Sequence, residues 1–191
     1  MSEIKLDGNW KAGWAIELHT LKSIPIGSGY FDTTYTRTGE ALNKLKYHND
    51  HSQIPILAKI SIDFLKTRLV TPYIDVMIPV PPSNYDRAIQ PVFEVAKVIS
   101  ESLNIPVDFN YIKKIKQTTQ LKDIVDLNAR EDVLKDAFRV KDTRYKDRNI
   151  LLFDDLYRSG STLKEITNIL YKCGRVQNVY VLTLTKTRVK R

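Results

Sequence analysis

Asp154 and Asp155 stand side by side after the apolar run Ile150 to Phe153, and the chain then turns through Arg158, Ser159, Gly160, Ser161 and Thr162. A short apolar strand buried on both faces holds two such carboxylates at its carboxyl end, where open α/β sheets bind ligands. Paired acids there accept hydrogen bonds from vicinal sugar hydroxyls. The turn adds backbone N–H groups and hydroxyls at the start of a helix that Thr162 can open, with the geometry and partial positive charge that a phosphate monoester needs. One strand and one turn thus grip a phosphorylated ribose, with Asp154 and Asp155 on the sugar and Arg158 to Thr162 on the phosphate. Adjacent acids also follow the strands of nucleotide triphosphatases and receiver domains. The phosphate loop G-x-x-x-x-G-K-S/T that the first requires is absent, and too few residues follow the acids for the second.

Two further segments carry candidate groups. Pro79-Val80-Pro81-Pro82-Ser83 ends an apolar strand; such a turn holds the backbone still and can carry a cis bond, useful where amides meet a pyrophosphate, or it simply stops the strand. A polar stretch over about residues 113–135, rich in Lys, Gln, Thr and Asp, has little to bury and reads as a functional loop. His19, His48 and His51 lack a convincing metal partner set. Cys173, the single cysteine, falls on a helical apolar stripe and is expected as a small core residue.

The elements that must position these groups follow from periodicity. Residues 10–51 mix Trp, Tyr, Gly and Thr with few clean periods and read as an appended lobe of short strands and a helix. A helix is expected over Ile56 to Leu69, a strand over Ile74 to Val80, and a helix opened by Pro91 and ended near Asn104 to Pro106. Short strands are expected near Val107 to Phe109 and Ala137 to Val140, then the Ile150 strand. A helix through Leu163, Ile166, Ile169 and Leu170 follows, with Gly174 as its C′ residue, and the last strand is Val176 to Leu184. Alternation of this kind implies an α/β fold, a mainly parallel open sheet flanked by helices. The expected division is a hood-like accessory lobe over 1–54 and a core over 55–191.

At 191 residues and 42% hydrophobic content the chain can bury one good core with a small appendage. No apolar run approaches the roughly 18 residues of a membrane span, and the N-terminus lacks a secretory pattern, so a cytoplasmic protein without membrane contact is expected. A net charge of +8 points to a polyanionic partner, either a phosphorylated substrate or nucleic acid.

The strand, acid pair and turn resemble the ribose-phosphate signature of type I phosphoribosyltransferases, whose turn has the form T-x-G-x-T. Within that superfamily the stretch Trp10 to Leu184 resembles ComF-like competence proteins. The likeness is carried by Trp14-Ala15 with His19, by Gly39 and Leu45-Lys46-Tyr47, by Ile78-Pro79-Val80-Pro81, and by Arg87 with Gln90. It continues in Lys114, Lys116, Thr118, Gln120 and Arg130, and in Ala137-Phe138-Arg139-Val140. The chain departs from that family in lacking its four-cysteine zinc ribbon, in carrying lysines for loop arginines and Asp132 for an Asn, and in a degraded R-G-F-N-Q segment.

The resemblance implies the type I phosphoribosyltransferase fold and Mg²⁺-dependent binding of 5-phosphoribosyl diphosphate, with transfer to a nitrogen nucleophile such as a purine or pyrimidine. Asp154 and Asp155 then hold ribose hydroxyls, one of them with the metal through water, and count with Lys114 and Lys116 as the catalytic set. Val80, Pro81, Pro82, Ser83 and Arg87 face the pyrophosphate. The alternative is a non-catalytic ComF-type protein that binds single-stranded DNA or a helicase-like partner in DNA uptake. Its motive is the charge and the basic tail Lys186, Arg188, Lys190 and Arg191, with Tyr30, Tyr35 or Trp10 either stacking on bases or filling the lobe's core. The acceptor is not legible, and a homodimer is left open.

Overall fold

Strands that are apolar at every position can pair only inside a sheet covered on both sides. The computed structural model, which describes residues 4–82, 89–115 and 137–188, puts them there. In chain order the strands are β1 (Ile4–Lys5), β2 (Ala12–Leu18), β3 (Thr20–Gly27), β4 (Tyr30–Tyr35), β5 (Val76–Pro79), β6 (Ile112–Lys114), β7 (Phe138–Val140), β8 (Asn149–Tyr157) and β9 (Asn178–Lys186). The helices are α1 (Arg37–Tyr47), α2 (Gln53–Lys66), α3 (Pro91–Leu103) and α4 (Ser161–Lys172). The central sheet has the order β1-β2-β9-β8-β5, parallel throughout except for β1.

The two-residue period of β8 divides the core. Ile150 and Leu152 face a layer of α4, β6 and β7, whereas Leu151 and Phe153 face α1, α2 and α3. Both layers are needed to bury β8, and together they hold its far end in place.

Residues 1–54 do not form a separate lobe. β2 lies inside the sheet, paired in parallel with β9 from Ala12↔Tyr180 to Leu18↔Lys186, and Gly13 to Ile16 are all buried. Its Gly, Trp and Ala stretch lacks the run of β-branched residues by which a doubly buried strand is recognised, so the segment has no clean period. Only the β3–β4 hairpin is a distinct two-stranded sheet.

Other boundaries also moved. α2 starts earlier than expected and ends at Lys66, leaving Leu69 at 94% exposure beside a 3₁₀ turn, Thr71–Tyr73. In place of a strand at Val107 to Phe109 there is a lone parallel bridge, Met77↔Val107. Ala137 to Val140 yields β7, which pairs with β6 off the main sheet. Helix α3 begins on Pro91, as the sequence predicts, and ends within the expected stretch at Asn104, which takes the left-handed region.

At the end of α4 the residue with positive φ is Arg175 (+54°), and Gly174 serves a different need. A Cβ there would lie 2.8 Å from the Leu170 carbonyl oxygen and 3.0 Å from the Tyr111 hydroxyl, so closeness of packing requires the glycine. Because the helix stops at Lys172, its buried stripe of Leu163, Ile166 and Leu170 is not extended by Cys173, which is exposed. The expectation of a core cysteine is therefore corrected. Cys173 is expected to take up one equivalent of a thiol reagent in the folded protein at nearly the rate of the denatured chain. Labelling that waits for denaturant would contradict the exposure.

Candidate functional site

β8 does not stop at the acids. It pairs with β9 as far as Tyr157↔Lys186, while on its other side β5 ends at Pro79↔Phe153. Asp154 and Asp155 thus lie just beyond the end of β5, on a strand still supported by β9. Neighbouring strand residues point to opposite faces. Asp155 accordingly meets the α1 layer, where Lys46 Nζ lies 2.7 Å from its Oδ2. Asp154 Oδ1 accepts the backbone N–H of Asp155 at 2.8 Å. The second oxygen of each carboxylate has no protein partner among the described residues.

Lys46 is brought there by packing on α1. Gly39, seven residues earlier on the same helical face, lies so near β2 that a Cβ would come within 1.9 Å of the His19 carbonyl oxygen. Thr36 fastens the start of α1, accepting the Gly39 N–H at 3.0 Å and donating to the Leu18 carbonyl at 2.6 Å. Leu42 and Leu45 are buried. His19 supports the same corner from the side, with Nδ1 3.1 Å from the Thr185 hydroxyl, which donates to the Asp155 carbonyl at 3.2 Å.

The electrostatics follow from this crowding. Burial, then the charge of Asp155, pushes the Asp154 carboxyl up to about 7, against the Asp155 N–H and Lys46, which draw it down. Burial also works against the Lys46 ammonium, but the adjacent Asp155 carboxylate outweighs it and holds Lys46 above the usual lysine range. Burial and the Lys46 charge lower His19. Asp154 is expected to leave a signature in folding. Its folded-state value exceeds that of the unfolded chain, near 3.9, so the folded form holds the proton more tightly and this contribution to stability is lost as pH rises from about 4 to about 7. Chemical denaturation of Asp154→Asn across that window should show a flatter profile than wild type; identical slopes would mean that Asp154 titrates normally.

The turn after β8 is shaped by Gly160, the residue before α4, at φ +80°. A side chain is excluded there, since a Cβ would sit 2.6 Å from the Tyr157 hydroxyl. α4 opens at Ser161, one residue before the Thr162 opening expected. The Ser159 and Ser161 hydroxyls are 3.0 Å apart, Ser161 is buried, Thr162 half-buried and Arg158 exposed. A cavity of about 580 Å³ borders the first turn of α4 through Ser161 and Lys164, with Asp7, Gly8 and Asn9 opposite.

The proline turn contributes less than expected. The Val80 N–H donates to the Phe153 carbonyl at 2.8 Å, and Pro81 and Pro82 have no N–H, so its described part presents no free amide to a pyrophosphate. No cis peptide bond occurs among the described residues. Lys114 sits half-buried at the end of β6, where burial lowers its ammonium. Ser83, Arg87, Lys116, Thr118, Gln120, Arg130, Asp132, Lys190 and Arg191 lie outside the described residues.

A protein-held metal does not fit the donors in place. The described residues contain no group of three or more His, Cys, Asp or Glu side chains able to hold an ion. One oxygen of Asp155 is taken by an ammonium and one of Asp154 by an amide. Lys46 is the residue at the acid pair whose place there sequence reasoning missed. The signal was its place in the Leu45-Lys46-Tyr47 element, which carried a likeness but no assigned role. Of the aromatics, Trp10 is core, with its indole N–H on the Leu6 carbonyl, Tyr35 packs on His19, and Tyr30 is 72% exposed. Arg188 is tied by its guanidinium to the Leu21 carbonyl, and Lys186 lies over the Tyr157 ring. No described helix is long and apolar enough to cross a membrane.

No family model matches the chain. Over 94 residues it is 32% identical to competence protein F of Haemophilus influenzae, a match covering 48% of this chain and 40% of that protein. The chain thus spans about two fifths of the curated relative's length. Among solved structures, adenine phosphoribosyltransferase from Trypanosoma brucei, in complex with AMP, pyrophosphate and ribose-5-phosphate, aligns with a TM-score of 0.47 at 14% identity. That alignment covers 97% of this chain and 87% of that one. UMP synthase of Leishmania donovani aligns at 0.41 and 18% identity, over 84% of this chain and 27% of that one. A hypothetical protein from Neisseria gonorrhoeae with bound ppGpp aligns at 0.44 and 15%, over 74% and 71%. The chain is thus similar over about half of its length to competence protein F, and it has a mixed α/β fold whose mainly parallel sheet bears the acid pair and glycine turn at its head.

Proposed function

We propose that the chain binds 5-phosphoribosyl diphosphate, in the cytoplasm and as the magnesium complex of its diphosphate, and transfers the phosphoribosyl group to a nitrogen nucleophile of the purine or pyrimidine class. The observation that carries this reading is the pair of unpartnered carboxylate oxygens on Asp154 and Asp155, next to the α4 N-terminus and its Gly160 turn. The acids accept the ribose hydroxyls. Ser159, Gly160, Ser161 and Thr162 receive the 5′-phosphate, with Arg158 at the rim. Lys114 and Lys116 meet charge on the departing diphosphate.

The bond from the anomeric carbon to the diphosphate oxygen breaks with its electron pair leaving on pyrophosphate, and a bond to nitrogen forms as the nucleophile gives up a proton. A transition state of this oxocarbenium kind is served by a fixed sugar and excluded water, without a covalent enzyme group. Calorimetric titration with 5-phosphoribosyl diphosphate and Mg²⁺ tests the binding step. Saturable heat is expected, and a flat trace would remove the reading.

A second reading, a ComF-type protein that binds single-stranded DNA, is favoured by the +8 charge and by Tyr30 and Phe31, which stand exposed on the β3–β4 hairpin. DNA binding that is undetectable at about 50 mM salt would end it.

A further inference from the structure

We infer that Lys46 occupies the position of a cation at Asp155, so that the acid pair recognises sugar hydroxyls with a built-in ammonium and takes no divalent ion of its own. The inference deepens the phosphoribosyl reading and rests on it. Lys46 and Asp155 meet at 2.7 Å with side chains only 17% and 14% exposed, so their pairing is shielded from solvent, unlike the surface pairs of the chain. Lys46 is not a free arm. Gly39 against the His19 carbonyl, with Leu42 and Leu45 in the core, fixes the helix that bears it.

Mg²⁺ demands near-octahedral oxygen ligation at about 2.0–2.1 Å. Oxygen Oδ2 of Asp155 already receives a full positive charge, Oδ1 of Asp154 is held by an amide, and no third acidic or imidazole ligand joins them among the described residues. A second cation on this pair would meet the Lys46 ammonium across one carboxylate. The two remaining oxygens suit hydrogen-bond donors, which vicinal hydroxyls are. A sugar phosphate without a diphosphate should therefore bind without metal, and only a diphosphate brings its own.

Ribose 5-phosphate titrated by calorimetry in EDTA and again in Mg²⁺ should give the same affinity within about twofold. Mn²⁺ added to the protein alone should show no bound signal by electron paramagnetic resonance. In Lys46→Met, ribose 5-phosphate should bind roughly tenfold more weakly in EDTA, recover in Mg²⁺, and a Mn²⁺ site should appear. Wild-type binding of ribose 5-phosphate that needs Mg²⁺, or a wild-type Mn²⁺ site lost in Asp155→Asn, would overturn the inference, and neither depends on how the lysine variant folds. If 5-phosphoribosyl diphosphate with Mg²⁺ binds but ribose 5-phosphate requires the metal, this inference alone fails. If neither ligand binds in any buffer, the phosphoribosyl reading fails first.

Discussion

Replacing Asp154 and Asp155 together by Asn should remove the heat of binding of 5-phosphoribosyl diphosphate with Mg²⁺. A hydrogen bond to the charged Asp155 contributes about 1.5–3 kcal/mol and one to the more readily protonated Asp154 about 0.5–1.5 kcal/mol, so loss of both carboxylates weakens the complex by roughly 2–4.5 kcal/mol, or about 30- to 10³-fold. The two acids will differ in what they do to folding. Asp155→Asn strips a half-buried ammonium of its counter-ion, and breaking a pair from one side costs about 3–5 kcal/mol when it is fully buried, so a loss toward the lower end is expected at 17% and 14% exposure. Asp154→Asn replaces a carboxyl already inclined to stay protonated and should leave the protein folded at neutral pH. Denaturant midpoints measured beside the calorimetry separate the two losses. Should the double variant bind as tightly as wild type, the acids are not the sugar's ligands.

Gly39→Ala should destabilise the protein by about 3 kcal/mol, near the upper end of what overpacking costs. The sign is the decisive part, because in an exposed helix interior the same change stabilises by roughly 1 kcal/mol. Here the new methyl would lie 1.9 Å from the His19 carbonyl oxygen, and backbone cannot move aside as a flexible side chain can. α1 must then lift away from β2, and Lys46, two turns further along, leaves Asp155. Urea unfolding reads the first effect and ribose 5-phosphate affinity the second. A variant as stable as wild type would show that the helix has slack, and the account of how Lys46 is held would fall with it.

Much of the fold could be read from short-range pattern. Apolar Ile150 to Phe153 and the strand ending at Pro79 were found because burial on both faces leaves an uninterrupted apolar run. Pro91 and Asn104 marked α3 because a fixed φ suits a first turn and Asn tolerates the left-handed region. Leu69 misled because periodicity continued past the point where the chain turned into a 3₁₀ segment. β2 was lost in a mixed Gly, Trp and Ala stretch whose strand character comes from β9, more than 160 residues away in the chain.

At the site the division falls between chemistry and placement. That two acids and a glycine turn suit a phosphorylated sugar follows from residue types a few positions apart, since hydrogen-bonding capacity and backbone freedom belong to residues individually. That Asp155 is held by Lys46, 109 residues away, that Val80 has already committed its N–H to Phe153, and that Cys173 faces solvent are matters of which distant segments meet. Folding settles these by burying helix faces against the sheet, and a lysine in a local pattern carries no mark of the carboxylate it will find.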